Sequence, residues 1–77
     1  MTVYLKFFAG LRGYLPGGES PHAAEVPEGA TVQDVLDRFG VPRAKPRILL
    51  VNGRHAAPDQ PLAEGDTLSA FPPVAGG

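Results

Sequence analysis

The sequence predicts an α+β fold, a mixed sheet of four to five strands with one main helix packed on one face. Three observations carry that expectation. The chain has 77 residues, enough for one hydrophobic core and no second domain. Its apolar residues alternate with period 2 near both ends but recur at helical spacing only in the middle. The 10 Gly and 9 Pro, about a quarter of the chain, would suggest disorder if they were scattered. They fall between the apolar runs instead, so they read as turn punctuation.

Taken in order, Thr2 to Ala9 alternates Val3, Leu5 and Phe7 with Tyr4, Lys6 and Phe8, which predicts a strand. Gly10 to Gly18 holds Gly10, Gly13, Gly17, Gly18 and Pro16 and is expected to be a loop. His22 to Val26, closed by Pro27-Glu28-Gly29, is a weaker second strand that returns antiparallel to the first. Thr31 to Phe39 changes period. Val32, Val35, Leu36 and Phe39 stand at i, i+3, i+4 and i+7, one buried helical stripe. Thr31 caps its start, Asp34 sits at N3, Gly40 stops it, and Asp34 is placed to pair with Arg38 on the wet side.

Val41 to Arg47 is a connector with Pro42 and Pro46, carrying Arg43, Lys45 and Arg47, a basic run that is either solvated or used in docking. Ile48 to Val51 is a continuous apolar run, expected to be a strand covered on both faces. Asn52-Gly53 is a strong hairpin signal and returns the chain through Arg54 to Ala57. Pro58 to Pro61 and Glu64-Gly65-Asp66 make further turns. Thr67 to Phe71 is the last strand, with Leu68 and Ala70 on one face, and Pro72-Pro73 ends it because proline has no ladder donor.

Bulk charge and composition exclude several functions. A net charge of -1 supplies no electrostatic footprint for duplex nucleic acid. No apolar run approaches the roughly 20 residues of a membrane span, so a cytoplasmic chain with no membrane partner is expected. Cys is absent, which rules out a disulfide, a zinc ribbon and a thiol nucleophile on this chain. Two His, both expected on exposed strand positions, do not build a metal cage, and no metal site is expected. Gly13 and Gly18 have phosphate-loop spacing, but Glu19-Ser20 follows where Lys and Ser or Thr would be required. No catalytic triad or carboxylate pair emerges, so the chain reads as a non-enzyme.

The last six residues are the exception. Pro72-Pro73-Val74-Ala75-Gly76-Gly77 begins with two residues held near polyproline II and ends with two that lack Cβ. Six extended residues span at most about 20 Å. Such an arm threads a narrow channel and delivers a terminal carboxylate to chemistry in a partner. The expected organisation is therefore a domain over residues 1–71 and a flexible tail over residues 72–77.

The sequence resembles the ThiS/MoaD sulfur carriers, most closely the small subunit of molybdopterin synthase. The resemblance rests on Leu5-Lys6-Phe7-Phe8-Ala9-Gly10-Leu11-Arg12, Pro27-Glu28-Gly29-Ala30-Thr31-Val32 and Val51-Asn52-Gly53. It continues through Pro61-Leu62, Glu64-Gly65-Asp66 and the terminal Phe71-Pro72-Pro73-Val74-Ala75-Gly76-Gly77, nearly the whole chain in order. It implies a ubiquitin-like β-grasp fold. It also implies that a ubiquitin-activating-type adenylyltransferase uses ATP to adenylate the Gly77 carboxylate, and that persulfide sulfur from a sulfurtransferase then displaces AMP. The product is a Gly77 thiocarboxylate that donates sulfur, with no cofactor bound to the chain itself. Phe71, Pro72, Pro73, Val74, Ala75 and Gly76 are the implied partner contacts, and the large subunit of molybdopterin synthase is the implied recipient partner.

Phe71-Pro72-Pro73 favours the molybdenum or tungsten cofactor pathway over thiamin thiazole carriers. Three alternatives stand beside it: a carrier for thiamin, cysteine or another sulfur metabolite, a ubiquitin-like modifier of lysines through the same activated Gly77, and, weakest, an RNA-associated TGS-like module.

Overall fold

The computed structural model describes residues 1–73. Five strands and one α-helix form in the expected order: β1 (Thr2–Phe7), β2 (His22–Glu25), α1 (Val32–Arg38), β3 (Ile48–Val51), β4 (Arg54–His55) and β5 (Thr67–Phe71). They make one mixed sheet in the order β2-β1-β5-β3-β4. β2 runs antiparallel to β1, β5 lies parallel to β1 and antiparallel to β3, and β3 turns back into the two-residue β4.

The period-2 pattern decides which face is covered. Val3, Leu5 and Phe7 on β1 and Leu68 and Ala70 on β5 are completely buried. Val32, Val35 and Leu36 of α1 lie in the same core, together with Val26, Val41, Val51 and Leu62. Fully burying one such branched or aromatic side chain stabilises the fold by about 1.5–3 kcal/mol. Tyr4, Lys6 and Phe8 alternate with the buried positions of β1 and are exposed.

Helix α1 is bounded at both ends by its own residues. The Thr31 side chain accepts from the Asp34 N–H (3.1 Å) while the Asp34 carboxylate accepts from the Thr31 N–H (2.9 Å), a reciprocal capping box. The next donors are also satisfied, Val32 N–H by the Gln60 carbonyl and Gln33 N–H by the Pro58 carbonyl. At the far end Gly40, at φ +74°, bonds the Asp37 carbonyl while Val41 N–H reaches the Leu36 carbonyl. That is the doubly bonded left-handed stop that glycine accommodates without steric cost.

Asn52-Gly53 forms the expected turn, with φ of +52° and +82°. The Asn52 side chain accepts from Thr67 N–H and donates to the Asp66 carboxylate, both at 2.9 Å, so the hairpin is tied to the start of β5.

Four local expectations are corrected. Gly10 to Gly18 is not a featureless loop: Ala9–Tyr14 and Pro16–Gly18 are 3₁₀ turns, and Leu11 and Leu15 are buried. Two apolar residues four apart anchor the segment to the core, and Gly13 between them does not break it. β3 is not covered on both faces. Ile48 is exposed, Leu49 and Leu50 are half-buried, and only Val51 is buried, because a single helix covers a single face.

Asp34 and Arg38 are not among the ion pairs of the described residues, since Asp34 is committed to the capping box. Asp37 pairs with Arg43 of the connector instead, at 3.1 Å. His22 is half-buried with its ring edge-on to Phe39 at 5.7 Å, whereas His55 is exposed as expected.

Candidate functional site

The candidate site lies where β5 leaves the sheet. β5 is central, flanked by β1 and β3, so its last residue is held from both sides. Phe71 pairs with Ile48, and its carbonyl accepts from Arg47 N–H at 2.8 Å. On the other flank Phe8 N–H bonds the Ala70 carbonyl at 3.1 Å. The Phe8 and Phe71 rings then stack with centroids 4.3 Å apart and planes 3° from parallel. An aromatic pair of this kind contributes about 0.5–1.5 kcal/mol beyond the area it buries. The exit direction of the chain is thus set by two backbone ladders and a ring stack before Pro72 is reached.

Of the residues expected to meet a partner, Phe71 closes β5 half-buried, Pro72 follows half-buried and Pro73 is exposed. Val74, Ala75, Gly76 and Gly77 lie outside the described residues. Phe8 and Ile48 belong to this place and were not expected there. Phe8 was legible as the outward neighbour of Phe7, whereas Ile48 was hidden inside a continuous apolar run.

Elsewhere the described residues offer less chemistry. A depression of about 220 Å³ lies between the β2–α1 connection and the helix, lined by Val26, Pro27, Ala30, Asp34, Val35 and Arg38 among others. It is smaller than the roughly 300–1,000 Å³ of ligand pockets, and its Asp34 carboxylate already accepts from Thr31 N–H. It also sits at the end of the sheet opposite the exit of β5, because β2 runs antiparallel to β1. No group of three or more His, Asp or Glu comes together among the described residues. The Asp37 carboxyl is held below the ordinary carboxylate value, first by the hydrogen bond from Gln33 at 2.7 Å and then by Arg43. Among the described residues no helix is long and apolar enough to cross a membrane.

A five-stranded mixed sheet with one helix on one face and its central strand running out into the C-terminal segment defines a ubiquitin-like β-grasp protein. The chain belongs to the ThiS family, whose model matches residues 5–77. Among solved structures it is similar to SAMP1, the small archaeal modifier protein 1 of Haloferax volcanii. That match has 32% identity and a TM-score of 0.77 and covers 100% of both chains. It is also similar to a putative molybdopterin converting factor subunit 1 from Pyrococcus furiosus, with 29% identity, a TM-score of 0.73 and coverage of 95% and 98%. Subunit 1 of the Helicobacter pylori molybdopterin-converting factor, solved in complex with subunit 2, shares the fold at 19% identity and a TM-score of 0.65 over 100% of both chains.

Proposed function

We propose that this chain is a sulfur carrier whose Gly77 carboxylate is adenylated and then converted to a thiocarboxylate, supplying sulfur for molybdopterin formation. The observation that carries this reading is the terminal motif Phe71-Pro72-Pro73-Val74-Ala75-Gly76-Gly77 continuing from the anchored central strand of a ThiS-family domain. A carboxylate is a poor electrophile. Attack of its oxygen on the α-phosphorus of ATP releases pyrophosphate and makes an acyl-adenylate. The terminal sulfur of a partner's persulfide then attacks the carbonyl carbon and expels AMP, leaving an acyl disulfide. A partner thiol attacks the donor cysteine's sulfur, forming a disulfide with it and releasing the thiocarboxylate. Glycine at the last two positions offers no Cβ to obstruct either attack at the carboxyl group.

Catalysis belongs to the partners in this reading: an adenylyltransferase of the ubiquitin-activating type, a sulfurtransferase, and the large synthase subunit that receives the sulfur. The similarity to the Pyrococcus furiosus protein supports the pathway, and the Helicobacter pylori complex supports a large-subunit partner by its shared fold.

Intact-mass measurement after incubation with the activating enzyme, ATP and a persulfide donor tests the proposal. The expected product gains the mass of one oxygen-for-sulfur exchange, localised to Gly77; a reproducible lack of that product with an active enzyme overturns it. A second reading, a modifier that forms amides with lysines through the same activated carboxyl, is favoured by the full-length similarity to SAMP1. Lysine-linked adducts of Gly77 in cell extract are its signature.

A further inference from the structure

One turn carries chemistry that the proposed function does not use. Asn52-Gly53 is exposed, at φ of +52° and +82°. An asparagine side chain followed by glycine can close on its own backbone, because no Cβ shields the next nitrogen. The Gly53 nitrogen, losing its proton, bonds the Asn52 Cγ, and the side-chain nitrogen takes up a proton and leaves as ammonia. Water then opens the cyclic imide at either carbonyl, leaving Asp or isoaspartate at position 52. Water is the sole co-reactant, and the exposed turn admits it.

The fold holds this side chain away from that reaction. Its Oδ1 accepts from Thr67 N–H and its Nδ2 donates to Asp66 Oδ1, both at 2.9 Å. The partners fix the orientation of the amide, since a backbone N–H only donates and a carboxylate only accepts. Asp66 is itself held, because its Oδ2 accepts from Ala63 N–H at 2.8 Å. Asn52 N–H also bonds the Thr67 carbonyl at 2.9 Å, so side chain and backbone grip the same residue. To meet the Gly53 nitrogen, Cγ must abandon both side-chain bonds and leave the half-buried Asp66 and Thr67 without these partners. Stranding polar groups in this way costs free energy, so the reactive geometry is disfavoured while the turn is docked.

We propose that Asn52-Gly53 is a deamidation site, and that Asp66 and Thr67 keep it unreacted while the hairpin is docked on the start of β5. The rate then follows the fraction of chains in which the hairpin is open. The product does not dock as before. Asp at position 52 sets a second carboxylate against Asp66 where an amide N–H stood, and like charges at that distance repel. Isoaspartate adds a backbone carbon to the turn between the paired Val51 and Arg54, whose length sets the strand register. Asp66 leads directly into β5, the central strand. Each opening that ends in reaction therefore permanently weakens the hold of the hairpin on the strand that continues into the arm.

The test follows position 52 by peptide mapping and mass spectrometry, which reads the exchange of NH2 for OH, during incubation of the full chain at mildly alkaline pH. The folded wild type is expected to react about tenfold or more slowly than the same chain in concentrated urea. Asp66→Ala is expected to react several-fold faster than the wild type while still folded by circular dichroism. Asp66→Asn takes its place if the alanine variant does not fold, since it keeps the volume and offers one carbonyl oxygen to two donors. Thr31→Ala, which weakens the helix cap instead, is expected to accelerate the reaction less than the Asp66 variant at urea concentrations that leave the two equally stable. Asn52→Asp, a copy of one product, is expected to lower the urea midpoint. Equal rates for folded and urea-treated wild type overturn the proposal, and so do equal rates for the Asp66 variant and Thr31→Ala in that comparison. An unchanged midpoint for Asn52→Asp overturns the weakened hold.

Discussion

The two faces of the sheet are built from the same strands and differ by one residue in phase. Val3, Leu5 and Phe7 point into the core and are completely buried, while Tyr4, Lys6 and Phe8 stand outward and are exposed. A domain with one helix can cover only one face. The covered face supplies stability. The open face carries Tyr4, Phe8 and Ile48, large apolar side chains that stay about two-fifths exposed and contribute less to the core. The contrast is sharpest between Phe7 and Phe8, adjacent in sequence and opposite in environment.

The largest expected effects separate function from folding altogether. Deletion of Gly76-Gly77 is expected to abolish adenylation while leaving thermal unfolding unchanged, as read by pyrophosphate exchange and calorimetry on the same sample. A large loss of stability on that deletion would show that the arm belongs to the fold. Phe7→Ala is expected to do the reverse, costing about 3–5 kcal/mol of a stability that in a domain this small is modest. Its denaturation midpoint will reveal this whether or not a partner is present. Phe8→Ala, one residue on and 38% exposed, should cost less than Phe7→Ala, about 0.5–1.5 kcal/mol for the aromatic stack plus the smaller area that it buries. Equal losses at the two positions would erase the distinction between the faces.

Two smaller effects probe the helix that covers the inner face. Thr31→Ala removes the oxygen that accepts from Asp34 N–H and is expected to cost about 1 kcal/mol, seen as a lower urea midpoint at unchanged slope. The smallest concerns Asp37. Its folded carboxyl titrates below the ordinary value of 3.8, so its contribution is present above that value and is lost as pH falls through the folded one. The difference in stability between the wild type and Gln33→Ala is therefore expected at neutral pH and should vanish under acid conditions. Persistence of the difference at low pH would assign Gln33 a role other than holding the carboxylate.

Much of this arrangement is legible in the residues. Helix α1 was readable because stripe, cap and stop agree, and the Asn52-Gly53 hairpin because few residue pairs adopt two successive positive φ angles. What escaped depends on neighbours remote in sequence. Leu11 and Leu15 look like loop residues until the core they enter is known. The outward half of β3 looks buried because Ile48-Leu49-Leu50-Val51 carries no alternation. Asp34 had two local partners available, and the backbone N–H of Thr31 took precedence over the Arg38 side chain. At the candidate site, Phe71 and the arm were visible as a motif. The Phe8 stack was not, because the parallel pairing of β1 with β5 joins residues about sixty positions apart.

That parallel pairing has a mechanical consequence. A partner that threads the C-terminal arm pulls along the axis of β5, and β5 is bonded along its length to β1 on one side and to β3 on the other. The load falls on both ladders in shear, so many hydrogen bonds must fail together. A terminal strand at an edge, loaded at right angles, would unzip one bond at a time. The domain resists a pull on its end with the strands of its sheet held in register.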